Sequence, residues 1–321
     1  MQKNILLLVF AFACALNVNS QVRIGKFDLA GKHKSLNKKS LEKFKNTKTY
    51  FIFAENESQG YTKSDYEKVL NEVWDVTTFE VITEDELYDV AKENAAFAQF
   101  NAFSITRYGK STVSVFSYHV IDFWTIDKLK KLDKKEKKFK AKKSRVAAIY
   151  FTPDIHSRQE IVAGKTEFNG NLMNYKLGYL KNYLRFINDG LKENKSFNMF
   201  DESVDKDKIG ELKNKTLYFS DEMIYSYSPW KIKEKEDQMT AEELFEDYEH
   251  PYKVVSDKEI NDKILANEDF YYLMYNQVNG IKVISVVNGK TGDIIYSTYK
   301  MPSYNLKSKD LKKLSKKISK S

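Results

Sequence analysis

Cysteine is almost absent: the 321-residue chain has one, Cys14, along with four histidines, four prolines and twelve glycines. One cysteine excludes a disulfide framework and any zinc site built on thiolates. So few glycines and prolines argue against collagen-like, linker-rich or turn-dense repeat designs. Beyond the first twenty residues no apolar run approaches the roughly 20 residues a membrane-spanning helix needs. No Gly-x-Ser-x-Gly elbow presents a serine nucleophile. Gly289-Lys290-Thr291 would end a phosphate-binding loop only with a glycine at position 284, where Ile284 stands, so it reads as a hairpin turn.

Apolar and charged residues are plentiful. The chain is 42% hydrophobic, with 21 Tyr and 21 Phe, enough for packed cores. Its first twenty residues read as a secretory signal. Lys3 supplies the positive start, Ile5 to Ala13 the apolar run, and Val18-Asn19-Ser20 the cleavage site, so the mature chain begins at Gln21. Cleavage there removes Cys14. The competing reading makes Cys14 a lipid-attachment residue, but Phe12 fits that signal badly.

The net charge of +8 is unevenly spread. Asp127 to Arg145 holds eleven Lys/Arg against three Asp/Glu, and Leu306 to Ser321 seven Lys against one Asp, leaving the rest of the mature chain net acidic. Such basic runs read first as solvated helix faces that bind nothing; as partner sites in an exported protein they point to acidic cell-wall polymers or an anionic membrane surface rather than to nucleic acid.

One stretch occurs twice. Phe79-Glu-Val-Ile-Thr-Glu-Asp-Glu-Leu87 matches Tyr252-Lys-Val-Val-Ser-Asp-Lys-Glu-Ile260, and the offset continues to Asn94 with Asn267 and Phe97 with Phe270. Around it, Thr49–Phe53 reads as a buried strand and Thr62–Asp75 as a helix with the stripe Tyr66, Val69, Leu70, Val73, capped by Thr62 or Ser64. Glu84–Glu93 reads as a short helix, and Ala95–Thr106 with Ser111–Trp124 as a hairpin. Lys215–Phe219, a helix capped by Thr240, and strands over 252–256, 270–278, 281–287 and 293–299 repeat the order. Leu244 and Tyr248 match Leu70 and Trp74. Asn288-Gly289 is read as a turn because both residues tolerate positive φ.

The expected fold class is α/β (α+β): two related β-α-β-α-β-β modules, each a mixed sheet with helices packed on it. The expected division is a signal peptide over 1–20, an extended arm over 21–39, a first module over 40–200, a second over 201–304, and a basic tail with a short helix over 305–321. The first module carries the basic insertion 127–145 as a helix or loose loop, because Leu129, Leu132 and Phe139 have helix-compatible spacing. Its long helix, 171–191, has the stripe Met173, Leu177, Leu180, Leu184, Ile187, Leu191, which either covers a sheet or forms a dimer seam.

The segment Val286-Val-Asn-Gly-Lys-Thr-Gly-Asp-Ile-Ile-Tyr-Ser297 resembles the closing hairpin of a periplasmic α/β module. That module is found in curli-secretion lipoproteins, penicillin-binding-protein activator lipoproteins and the amino-terminal domain of the Tol translocation protein. The resemblance covers about residues 215–299 and extends weakly to 48–124, where Tyr108-Gly109-Lys110 replaces the Thr-Gly-Asp turn. It implies envelope proteins that bind partners or assemble, mostly without enzymatic activity, and it carries over no catalytic residue. The Lys- and Asn-rich composition resembles secreted proteins of Bacteroidota.

The histidines His33, His119, His156 and His250 lack metal-ligand spacing, and adjacent acids such as Asp85/Glu86 and Glu242/Glu243 read as solvated faces. No cofactor motif is present. The candidate partner-binding residues are Tyr225, Tyr227 and Trp230, in an irregular insertion, and Lys130, Lys131, Lys134, Lys135 and Lys138 in the basic run. The expectation is a non-catalytic exported envelope protein that binds a protein or cell-wall partner. The alternatives are a hydrolase of envelope polymers, with a site assembled around His119 or His250, and a protein bound to an anionic membrane surface.

Overall fold

The computed structural model describes residues 21–27, 33–34, 36–53, 60–109, 112–153, 172–226, 237–238 and 240–321. The first twenty residues with Cys14, and also His156, Tyr227 and Trp230, lie outside the described residues. No described helix is long and apolar enough to cross a membrane.

The first half runs β1 (Val22–Ile24), the short pair β2 (Lys26–Phe27) and β3 (His33–Lys34), α1 (Lys38–Lys45), β4 (Thr49–Phe53) and α2 (Lys63–Val73). It continues with β5 (Phe79–Thr83), the single turn α3 (Leu87–Val90) and three long strands, β6 (Ala96–Tyr108), β7 (Val113–Asp133) and β8 (Lys138–Pro153). β9 (Leu172–Met173) and α4 (Leu177–Lys192) follow. The second half runs β10 (Ser203–Val204), α5 (Lys206–Ile209), β11 (Leu217–Ser220), the pair β12 (Tyr225–Ser226) and β13 (Asp237–Gln238), α6 (Ala241–Phe245), β14 (Tyr252–Val255) and α7 (Asp257–Leu265). β15 (Tyr271–Val278), β16 (Ile281–Asn288), β17 (Ile294–Lys300) and α8 (Ser308–Ser319) close it.

The two halves share one topology. The first sheet is ordered β1-β8-β7-β6-β4-β5, with β9 beside β8, and the second β10-β17-β16-β15-β11-β14. In each, a central strand (β4 or β11) lies parallel to its two neighbours, and an antiparallel meander follows. The parallel strands are joined through helices because a parallel return needs a crossover, whereas the meander needs only tight turns.

Side chains repeat too. Phe51 packs edge-on against Trp74 (5.1 Å) and Phe79 (6.0 Å); Phe219 does the same against Tyr248 (5.9 Å) and Tyr252 (6.3 Å). At the repeated stretch the Thr83 hydroxyl accepts from the Glu86 amide, and the Ser256 hydroxyl from the Glu259 amide. Asn94 and Asn267 both adopt positive φ, 66° and 56°. Beyond them the match slips: Thr49 pairs with Ala96 but Leu217 with Tyr271, so Phe97 corresponds to Tyr272, not to Phe270.

α4 is the wall between the halves and is not a dimer seam. Tyr183 packs against Phe151 of the first sheet (6.2 Å), and Tyr179 against Tyr272 of the second (5.6 Å). Lys181, also buried, reaches Glu72 of α2 (2.5 Å) and Asn267 (3.0 Å). The largest apolar cluster therefore holds residues of both halves, among them Phe51, Val69, Leu184, Ile260 and Met274. The sheets also touch directly, with the Gln277 amide donating to Thr152 Oγ1 (2.6 Å).

Four expectations change. The N-terminal arm begins as β1, an edge strand paired with β8 and fully buried at Val22 and Ile24. Met173 belongs to β9, and the long helix starts at Leu177. The expected C-terminal helix is present as α8, but it is no separate tail, because it buries Leu311, Leu314 and Ile318 in the second core. The basic insertion is neither helix nor loop but β-structure.

Candidate functional site

β7 is 21 residues long, about 70 Å if fully extended, and overhangs the sheet at both ends. At its C-terminal end it pairs with the start of β8 to form a two-stranded ribbon. The apolar residues Ile126, Leu129 and Leu132 recur every third position, which no regular strand would bury on one face. Two β-bulges, between Ile126 and Lys128 and between Leu129 and Lys131, each insert one residue and so keep all three on one side. On β8 the alternation is plain: Phe139, Ala141 and Lys143 face inward, Lys138, Lys140 and Lys142 outward.

The inner face covers α3. Phe139 meets Tyr88 (6.3 Å) and stacks on Trp124 (6.1 Å), which stacks on Phe97 (4.7 Å). The Lys143 ammonium lies 3.6 Å from the Trp124 ring centre and 4.7 Å from that of Phe139. Although the residue as a whole is exposed, its amine is pressed onto the rings, and burial, then the neighbouring Arg145, bring it down to about 8. Arg145 pairs with Asp122 (2.9 Å), whose carboxyl burial raises. At the root of the ribbon Asp127 is held by Lys43 (3.1 Å) and by the Ser144 hydroxyl (2.7 Å).

The outer face carries lysine against lysine. Lys128 stands opposite Lys142 and Lys131 opposite Lys140, with Lys130 at a bulge between them and Asp133 opposite Lys138. Like charges directly opposite on a ladder repel. Lys128, Lys130, Lys131, Lys140 and Lys142 are exposed and make no ion pair among the described residues. The tip differs: Lys134 pairs with Asp89 (2.9 Å), Lys137 with Asp85 (2.6 Å) and Lys138 with Glu136 (3.5 Å).

Of the expected binding residues, Lys130, Lys131 and Lys135 are therefore exposed without an ion pair among the described residues, while Lys134 and Lys138 are engaged. Tyr225 lies in β12, its Cα opposite Gln238 at the base of the insertion. Sequence reading missed Lys128, Lys140 and Lys142. The signal for two of them was present: Lys138-Phe-Lys-Ala-Lys142 alternates strictly, the mark of a half-buried strand.

The other polar groups do not converge. His119 is buried in β7, where burial lowers its imidazole to about 4. His250 Nε2 lies 3.1 Å from the Ser315 carbonyl oxygen and 3.3 Å from the Ser319 hydroxyl, a tie to α8. A small apolar cavity of about 40 Å³ at the end of β4 is lined by Phe53, Tyr66, Phe100 and Tyr175. A cleft of about 210 Å³ between α4 and the β16–β17 turn has Arg185, Asp189, Lys208 and Asp293 on its walls. Neither histidine lines either one. Among the described residues no group of three or more His, Cys, Asp or Glu could hold a metal ion.

Gly289-Lys290-Thr291 forms the β16–β17 turn, with Asn288 Oδ1 accepting from the Lys290 and Thr291 amides (2.9 and 3.0 Å). Comparison with known proteins adds no relative: no family model, no curated protein and no solved structure matches this chain.

Proposed function

We propose that the protein is an exported, non-catalytic envelope protein that binds an acidic partner through the basic ribbon. The observation that carries this reading is the pair of lysine rungs, Lys128–Lys142 and Lys131–Lys140. The fold itself gains nothing from setting like charges face to face, whereas a bound anion turns the repulsion into attraction. The resemblance of the second half to partner-binding envelope modules supports the same reading, as does the signal-like start of the chain.

The test is salt-dependent binding to isolated envelope fractions. A variant with Lys128, Lys130, Lys131, Lys140 and Lys142 changed to Gln should keep its circular dichroism and lose at least tenfold in binding at 50 mM salt. Wild-type binding should fade as salt rises, since screening shortens to roughly 3 Å at 1 M. Equal binding by variant and wild type would remove the ribbon from the function.

A further inference from the structure

We infer that the outer face of the ribbon seats an extended linear polyanion, a chain with one negative charge per repeat, lying along the rungs Lys128–Lys142 and Lys131–Lys140. The inference rests on the reading above, that the ribbon binds an acidic partner, and it names the partner's class.

Three features of the ribbon select this class. First, the free charges stand in rows. Lys140 and Lys142 stand two residues apart on β8, about 6.6 Å along the strand, and the paired Lys138 continues their row toward the tip. Lys128, Lys130 and Lys131 run beside them on β7. A compact anion is held by donors that converge on one point, whereas parallel rows match charges that repeat along a chain. Second, the face has no stacking platform. Its paired positions hold only Lys128, Lys131, Asp133, Lys138, Lys140 and Lys142, while the aromatic side chains of the ribbon turn inward onto α3. Single-stranded nucleic acid is held by aromatic rings between the cations, so a polymer without bases fits better. Third, the tip is neutralised and the flank is not. Lys134, Lys137 and Lys138 are paired with Asp89, Asp85 and Glu136. At the turn only Lys135 is left without an ion pair among the described residues, and the other uncompensated lysines lie along the side.

The shared ligand chemistry is a repeating phosphate or carboxylate, and two probes separate the sources: linear inorganic polyphosphate of graded length and polygalacturonate. Vesicles of phosphatidylglycerol are the third arm. With the full-length mature protein, affinity for polymer should rise with chain length until the polymer spans the ribbon, and free phosphate or galacturonate should not compete at equal charge. The variant K128Q/K131Q/K140Q/K142Q should bind at least tenfold more weakly. Its slope of log affinity against log salt should fall by about three, at roughly 0.7 per lysine for a single-stranded polyanion. K134Q/K137Q/K138Q should stay within about twofold of wild type. Removing the like-charge rungs should leave the melting temperature equal to or above that of wild type. As a control on folding, K128R/K131R/K140R/K142R keeps the charge and should keep the binding.

Binding of one polymer alone supports the inference and fixes the repeat as phosphate or carboxylate; binding of both supports it through charge spacing. Vesicles bound as tightly as polymers at equal charge, or tip variants as damaging as rung variants, would overturn the polymer and leave the acidic-partner reading standing. Absence of salt-sensitive binding to every anionic probe would overturn that reading as well.

Discussion

His119 sits in the middle of β7, opposite Ala102 and Phe151, and is only 5% exposed. Burial holds its imidazole neutral down to about 4, against an ordinary 6.5. The unfolded chain takes up this proton near pH 6.5 and the folded chain only near 4. Stability is thus lost as pH falls through that window, by up to roughly 3 kcal/mol from this residue. His119→Gln should flatten the dependence, which urea denaturation at pH 4.5 and 7 would measure; an unchanged slope would assign the acid sensitivity to another group.

Gly289 has a different reason for its identity. The turn signal Asn288-Gly289 suggested positive φ, but the left-handed residue is Gly292, at φ 74°. At Gly289 a Cβ would stand 2.1 Å from Phe270 Cε1, in a ring packed between Tyr218 (5.3 Å) and Tyr272 (5.8 Å). Gly289→Ala should therefore cost about 1–3 kcal/mol, read as a lower denaturation midpoint.

At the level of elements the basic ribbon is the most instructive. Its apolar residues come every third position on β7, a spacing that suits a helix as well as a doubly bulged strand. Periodicity alone does not separate the two; pairing with β8 does. Inserting one alanine between Lys131 and Leu132 should turn Leu132 outward and uncover the α3 side of the ribbon, because a one-residue slip reverses every following side chain. The expected cost is about 1–2 kcal/mol, near the value of a half-buried leucine. Hydrogen exchange should show protection lost in residues 131–140 while the central stretch of β7 keeps its own. Retained protection there would mean that the ribbon re-forms in another register.

For the whole molecule, the shared wall decides cooperativity. α4 lies in sequence after the first sheet, yet its Tyr179 and Tyr183 contact both sheets, and Asn188 accepts from the Asp75 and Val76 amides (3.0 and 2.9 Å). Two halves that bury one helix between them unfold together. Trp74 and Trp124 report on the first sheet alone. In a W230F background their fluorescence should therefore follow the same denaturation curve as the far-ultraviolet circular dichroism of the entire chain. Separate midpoints would show that each half stands by itself. A substitution in the wall, such as Ile187→Ala, should lower the common midpoint by the equivalent of about 2–5 kcal/mol.

The sequence by itself determined the repeated elements and their order. Strand and helix periods, caps such as Thr62 with Asp65 and Thr240 with Glu243, and the matched stretch around Val81 and Val254 are local, and local preferences are written residue by residue. It also placed the charge. Tertiary structure alone decided what depends on partners distant in the chain. It made β1 an edge strand instead of an arm, set α4 between two sheets, and turned α8 from a tail into part of a core. It also separated the lysines of the basic run into those paired with Asp85 and Asp89 and those left facing one another. That division follows from strand pairing and bulges across the β7–β8 turn, and charge counted along one strand does not contain it.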